Sequence, residues 1–305
     1  MSLATQMPFF SQNWPIITLG LVCYLSFRVI SHFFKKTTST DGPDSTGDAK
    51  KTGVYRTPDQ VAEIKEDEDW DEETEFPDIS SALPADLEHI PFNFERFTPE
   101  EMVKRSEEFY RLMNRRRTIR FFSSEPVPFK VIENVVRAAG TGPSGAHTEP
   151  WTFVVVSDQE VKEKIRQIIE DEEEVNYKKR MGVQWTTDLR PLRTNWIKEY
   201  LTEAPYIILV FKQMYGIKPD GGKKIHYYNE MSVAMASGLL LTAVHYSGLV
   251  SLTSTPLNCG PALRTLLGRP ASEKLTLLLP VGYPAKDATV PNLSRKPIED
   301  IMVHI

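Results

Sequence analysis

The sequence predicts one folded domain of α/β or α+β class, about 215 residues long, behind an N-terminal membrane anchor. Three observations lead there. From residue 90 onward, apolar runs of strand length such as 206–211 (YIILVF) alternate with segments of helical period. A run of 21 mostly apolar residues, 14–34, lies far upstream of them. Between the two, the composition cannot build a core.

The elements follow in chain order. A short segment, 1–13, precedes the apolar run 14–34, which as a helix would span about 32 Å at roughly 1.5 Å per residue, matching a hydrocarbon core of about 30 Å. A cleaved signal peptide is the competing reading, but no basic region precedes the run and no small-residue cleavage site follows it. Arg28 and His32 sit near its basic end, where a long side chain can snorkel to the interface. Lys35 and Lys36 follow directly, so the positive-inside rule places the C-terminal bulk in the cytosol. The chain reads as a single-pass protein of the plasma membrane or a cytoplasmic vesicle membrane. The sequon Asn292-Leu293-Ser294 offers a check on that topology.

Residues 35–89 have the composition of a disordered linker. Between Asp59 and Glu88 stand 13 acidic residues against the single Lys65, and these account for the formal charge of −5 on the 305-residue chain. The folded part is close to neutral, with no basic stripe of the kind nucleic acid requires. Two cysteines, Cys23 and Cys259, give no disulfide framework and no metal-ligand spacing, which fits a reducing compartment.

The core should start near residue 90. Thr98-Pro99-Glu100-Glu101 reads as a capping box with Pro at the first helical position, opening a helix whose Met102, Phe109 and Met113 share one face. Residues 128–139 read as a helix ended by Gly140, 152–156 as a buried strand, and 161–181 as a long charged helix. Then come a strand at 206–211, an Ala/Ser/Leu-rich buried helix at 227–246, and strands at 249–253 and 275–281. The apolar tail 295–305 suggests docking on another subunit.

Three segments carry chemistry. Arg115, Arg116, Arg117 and Arg120 place four guanidinium groups in six positions. Arginine is suited to bidentate capture of phosphate, although cations at a helix C-terminus also complement the macrodipole. The loop 140–151 (GTGPSGAHTEPW) matches G-x-G-x-x-G, but a helix precedes it and a strand follows, the reverse of a dinucleotide fingerprint. It reads either as an irregular turn needing glycine or as a loop whose backbone N–H groups approach a flat ligand. His147-Thr148-Glu149 imitates the H-x-E of zinc deaminases without the P-C-x-x-C that would complete a metal site, so no metal is expected. The acidic run 170–174 is either a solvated helix face or part of a substrate lid, with Glu173 and Tyr177 on one face at i and i+4.

Taken together, Arg115 to Phe121, Pro143 to Trp151, Thr253 to Gly260 (TSTPLNCG) and Val281-Gly282-Tyr283-Pro284 resemble the nitroreductase superfamily of FMN enzymes, and most closely its membrane-anchored animal branch that removes iodide from tyrosine. The resemblance covers about residue 88 to the C-terminus. It implies an α+β fold with a mixed sheet flanked by helices, in an intertwined homodimer holding two FMN at the interface. Arg116, Arg117, Thr118, Ile119, Arg120 and Arg295 would hold the phosphate and neighbouring flavin groups. Pro143 and Ser144 would reach the flavin of the partner chain, and Thr253, Ser254 and Thr255 would line its reactive ring. Thr118 and Ser254 stand where the family pattern has Ser and Thr, and both keep the hydroxyl.

The same resemblance makes 168–198 a lid, in which Glu173 takes the ammonium of a zwitterionic amino acid while Lys198 and Tyr177 take its carboxylate. The Ala146 N–H would donate to the phenolate, and the Thr255 hydroxyl would favour one-electron chemistry. Mono- and diiodotyrosine are then the substrates, with electrons ultimately from NADPH through an unidentified reductase. A general nitro or quinone reductase would need no such clamp, and a membrane-tethered adaptor would need no flavin.

Overall fold

The computed structural model describes residues 81, 83–218 and 221–305. The apolar run 14–34, Cys23 and most of the acidic linker lie outside the described residues. Among the described residues no helix is long and apolar enough to cross a membrane.

The centre is a four-stranded sheet in the order β1-β2-β6-β5, built from β1 (Trp151–Val156), β2 (Tyr206–Gln213), β5 (Val250–Ser251) and β6 (Glu273–Gly282). All three strand pairings are antiparallel. The expected mixed sheet is therefore reduced to one parallel bridge, Thr118 to Ser251, where the arginine segment joins the β5 edge. Strand β2 is central and buried on both faces from Ile207 to Phe211, which is why it reads as a continuous apolar run without alternation.

Helices α2 (Phe129–Ala139) and α6 (Asn229–Tyr246) pack on one face around Ile132, Val135, Ile208, Val210, Leu240 and Leu279. On the other face, α3 (Gln159–Val175), α5 (Tyr200–Glu203) and α7 (Gly260–Leu266) enclose Ile165, Ile169, Leu209, Phe211, Leu263 and Leu278. Each layer buries a separate cluster, so the sheet is the floor of two cores.

Helix α1 (Pro99–Asn114) departs from expectation. Thr98 Oγ1 accepts from the Glu101 N–H at 3.3 Å, but Glu101 turns to Arg105 at 2.7 Å, so only half of the capping box forms. Among the described residues none of this helix is buried. Met102 and Phe109, expected to share one apolar face with Met113, are more than half exposed. A second departure is the strand expected at 249–253, which pairs only over Val250–Ser251 before Ser254 returns to Leu278 through two bonds of 2.9 Å. The long charged helix stays α-helical to Val175 and then forms one π-helical turn, Asn176–Arg180. Helix α4 (Gly182–Leu189) and the hairpin β3 (Tyr215–Ile217) to β4 (Lys223–Ile225) complete the described elements.

Helix α6 has two apolar faces. Val233, Ala236, Leu240 and Val244 are buried in the core, while Met231, Met235 and Leu239, spaced by four, are 63, 44 and 37% exposed. Among the described residues nothing covers this second stripe.

Candidate active site

The site forms where the arginine segment, the Thr253–Thr255 loop and the helical insertion between α3 and α5 meet at the β5 edge. After α1 the chain runs extended. The Ile119 N–H donates to Ser251 O at 3.2 Å and the Ser123 N–H to Tyr283 O at 2.9 Å, which buries Ile119 and Phe122. This lays Arg116 to Arg120 across the sheet margin.

The C-terminal segment folds back onto the arginines. Arg295 Nη2 donates to Arg116 O at 3.0 Å and Arg117 Nη2 to Pro291 O. Burial holds the Arg116 guanidinium below its usual range, and the charges of Arg295 and Arg117 add to this. Among the described residues, none of Arg116, Arg117, Arg120 and Arg295 forms an ion pair. Arg116, Arg117 and Arg295 act on one another with no carboxylate among them, which leaves the three complementary to a dianion, so they fit the phosphate of FMN, while Arg120 faces other residues. A helix-dipole role alone would not draw Arg295 in from 179 residues downstream of Arg116.

Ser254 is held against β6, while Thr253 and Thr255 are exposed on either side of it. The loop after α2 is tight. A Cβ on Gly142 would lie 3.3 Å from Ala236 of α6, and one on Gly145 would lie 3.0 Å from Tyr227 O, so the glycines allow the backbone to hug α6. Ala146, His147 and Glu149 all adopt left-handed φ, near +50°. Ser144 Oγ accepts from the Glu149 N–H at 3.0 Å and fixes the turn, with Pro143 exposed beside it.

The insertion brings Glu173, Tyr177 and Lys198 together. Glu173 and Lys198 are 8 and 5% exposed, with Nζ 3.6 Å from Oε2, and the ammonium lies 5.4 Å from the Tyr177 ring centre. Burial pushes the Lys198 ammonium below its usual range while Glu173 opposes the shift, and burial raises the Tyr177 phenol. The Arg120 charge also acts on Lys198, Tyr177 and Tyr200, which places this arginine on the lid side of the cluster. An acid and an ammonium this deeply buried are costly to hold, and the pair is open to exchange for a ligand carrying both opposite charges.

Residues not singled out from the sequence support this pair. Glu170 Oε1 accepts from the Lys198 N–H at 2.6 Å and from Arg166 Nε at 2.7 Å, and Trp196 packs edge-on to Tyr177 at 6.1 Å. Glu170 lies one helical turn before Glu174 in the same acidic run, and no spacing rule marks which of five acids turns inward. Among the described residues no group of His, Cys, Asp and Glu could hold a metal.

Comparison with known proteins fits this geometry. The Nitroreductase family pattern matches residues 113–283. Iodotyrosine deiodinase 1 of Homo sapiens is 60% identical over 243 residues, covering 80% of this chain and 84% of that protein. Iodotyrosine deiodinase of Daphnia pulex is 49% identical over 300 residues, covering 97 and 98%. A crystal structure of oxidized iodotyrosine deiodinase bound to FMN and 3-iodo-L-tyrosine superposes with a TM-score of 0.55 at 32% identity, covering 62% of this chain and 95% of that one.

Proposed function

This chain belongs to the nitroreductase family, and from that premise we infer that it is an FMN-dependent oxidoreductase that reductively removes iodide from mono- and diiodotyrosine. The observation that carries the reading is the buried Glu173–Lys198 pair beside Tyr177, since a general nitro or quinone reductase has no use for a zwitterion clamp. FMN, when bound, supplies the electrons. The protein's own part is to bind and orient.

Glu173 takes the substrate ammonium, while Lys198 and Tyr177 take its carboxylate, so the native ion pair is exchanged for two new ones. Tyr177 stays a phenol because burial raises it, and so it can donate. Iodine acidifies the substrate phenol, and the Ala146 N–H donates to the resulting phenolate oxygen. The left-handed turn that fixes Ala146 costs of order 1 kcal/mol per residue, which suits a preorganised donor. Thr255, exposed on its pinned loop, would supply its hydroxyl to the reacting ring. The experiment is iodide release from diiodotyrosine under dithionite by the yellow purified protein. Thr255→Ala should keep FMN and bind iodotyrosine yet release iodide more slowly. A yellow parent protein that reduces nitroaromatics but releases no iodide sinks the reading.

Phosphate capture has its own check. Arg117→Ala should weaken FMN retention several-fold or more, since a charge-assisted hydrogen bond is worth about 1.5–3 kcal/mol. Unchanged affinity by equilibrium dialysis returns the arginines to a helix-terminus role.

We also propose that the protein works as a homodimer, with α6, the uncovered face of α1 and the apolar tail at the interface, and each flavin held by both chains. Electrons come ultimately from NADPH through a separate reductase. Residues 14–34 serve as a membrane anchor with the enzyme facing the cytosol. Asn292 is exposed, so a glycosyltransferase could reach it in the lumen. A glycan found on Asn292 in cells would reverse the topology.

A further inference from the structure

We infer that Asn176 is a positioning residue that holds the lid carboxylate and the Thr255 loop in one frame. Its side chain is fully buried at the start of the π-helical turn, a distortion that often marks functional sites. All three of its bonds are accounted for. Nδ2 donates to Glu173 Oε1 at 3.4 Å and to Leu257 O at 3.3 Å, and Oδ1 accepts from Arg180 Nη1 at 3.1 Å. The partners fix the amide orientation, because the flipped amide would set its oxygen against a carboxylate and a carbonyl and its NH2 against a guanidinium.

The second half of the argument lies in the loop. Ser254 is pinned to Leu278 by two backbone bonds of 2.9 Å, and Leu257 is pinned to Asn176. Only Thr255 and Pro256 lie between the two pins. Cys259, its thiol pushed by burial up to about 12, stays protonated and adds a weak bond to the same Leu257 carbonyl at 3.5 Å. One amide therefore sets both the carboxylate assigned to the substrate ammonium and the span of backbone that carries the Thr255 hydroxyl. The helical insertion is tied to this loop through the Asn176 amide.

This inference rests on the clamp assigned above, and its test separates the two. The affinities of 3-iodotyrosine and of its des-amino analogue, 3-(4-hydroxy-3-iodophenyl)propionate, are measured by flavin fluorescence for the FMN-loaded parent, Asn176→Leu and Asn176→Ser. Asn176→Ser adds no charge beside Glu173 and is too short to reach both Glu173 and Leu257, so it serves if Asn176→Leu fails to fold. Both variants should keep FMN, lose about tenfold or more for iodotyrosine, consistent with a misplaced charge-assisted bond, and lose less than about twofold for the analogue without an ammonium. Iodide release per bound substrate should fall as well. Equal losses for both ligands would make Asn176 merely structural, and unchanged affinity for both would also overturn the inference. A parent that fails to discriminate the two ligands overturns the clamp, and this inference with it.

Discussion

Lys198→Gln should lower iodotyrosine affinity by one to two orders of magnitude while the flavin spectrum stays that of the parent. The ammonium is buried against Glu173 at 3.6 Å, so its removal takes a charge-assisted bond from the substrate carboxylate. Such a bond is worth about 1.5–3 kcal/mol, or roughly 10- to 150-fold. Removal also leaves Glu173 with an uncompensated buried charge, so the ligand-free protein should melt earlier. Glu173→Gln should do both things in mirror image. The double variant should then be more stable than the sum of the singles predicts, because neither group is left alone. Additive losses in melting temperature would mean that the two do not act as a pair.

The pH dependence has a definite sign. Because burial holds the Lys198 ammonium below its usual range, iodotyrosine binding should decline as pH rises through that lowered value. Over the same window this residue's contribution to fold stability grows, since the unfolded chain binds the extra proton. Lys198→Arg, which cannot lose its charge, should remove Lys198's part of the binding decline.

Met235→Asp should convert the enzyme to a monomer that loses most of its FMN. Met231, Met235 and Leu239 leave an apolar stripe on α6, and covering it in two chains at about 25 cal/mol per Å2 is worth several kcal/mol. A carboxylate in the middle of that contact would be buried without a partner, at a cost of the same order. Size-exclusion chromatography with flavin absorbance reads both effects together. Elution at the parent's size with a full complement of FMN would remove α6 from the interface.

Much of the layering was legible because β2 and β6 are continuous apolar runs of strand length, α6 is a longer Ala/Ser/Leu-rich run, and α2 alone shows a strong helical period. The run 206–211 has strand length and is rich in β-branched and aromatic residues, which favours a strand over a helix. What the sequence could not tell was which apolar faces the described residues leave uncovered. Met102 and Phe109 carry an amphipathic pattern, and a pattern says that a face is apolar without saying what covers it. The three-residue strands β3 and β4 were missed because Lys223, Lys224 and Gly216 give no alternation to read. Helix α7 was masked by Gly260 and Pro261 at its start.

The site divides in the same way. Arginines in a row announce an anion by their chemistry, so they could be singled out from composition. Glu173 could not be told from its four acidic neighbours by any periodicity, and only the resemblance to a family marked it. Asn176 had no signal at all, since an asparagine between two lid residues looks like any polar helix position until its three partners are seen.

The turn holding Ala146, His147 and Glu149 in left-handed φ also bears on how this enzyme could be engineered. Glycine at any of the three would relieve local strain of about 1 kcal/mol, and a screen for heat resistance would tend to select it. The same change would let the Ala146 amide wander from the oxygen it is meant to meet. Thermostability and turnover therefore pull in opposite directions at this turn, and a variant library sorted on melting temperature alone would drift away from deiodination.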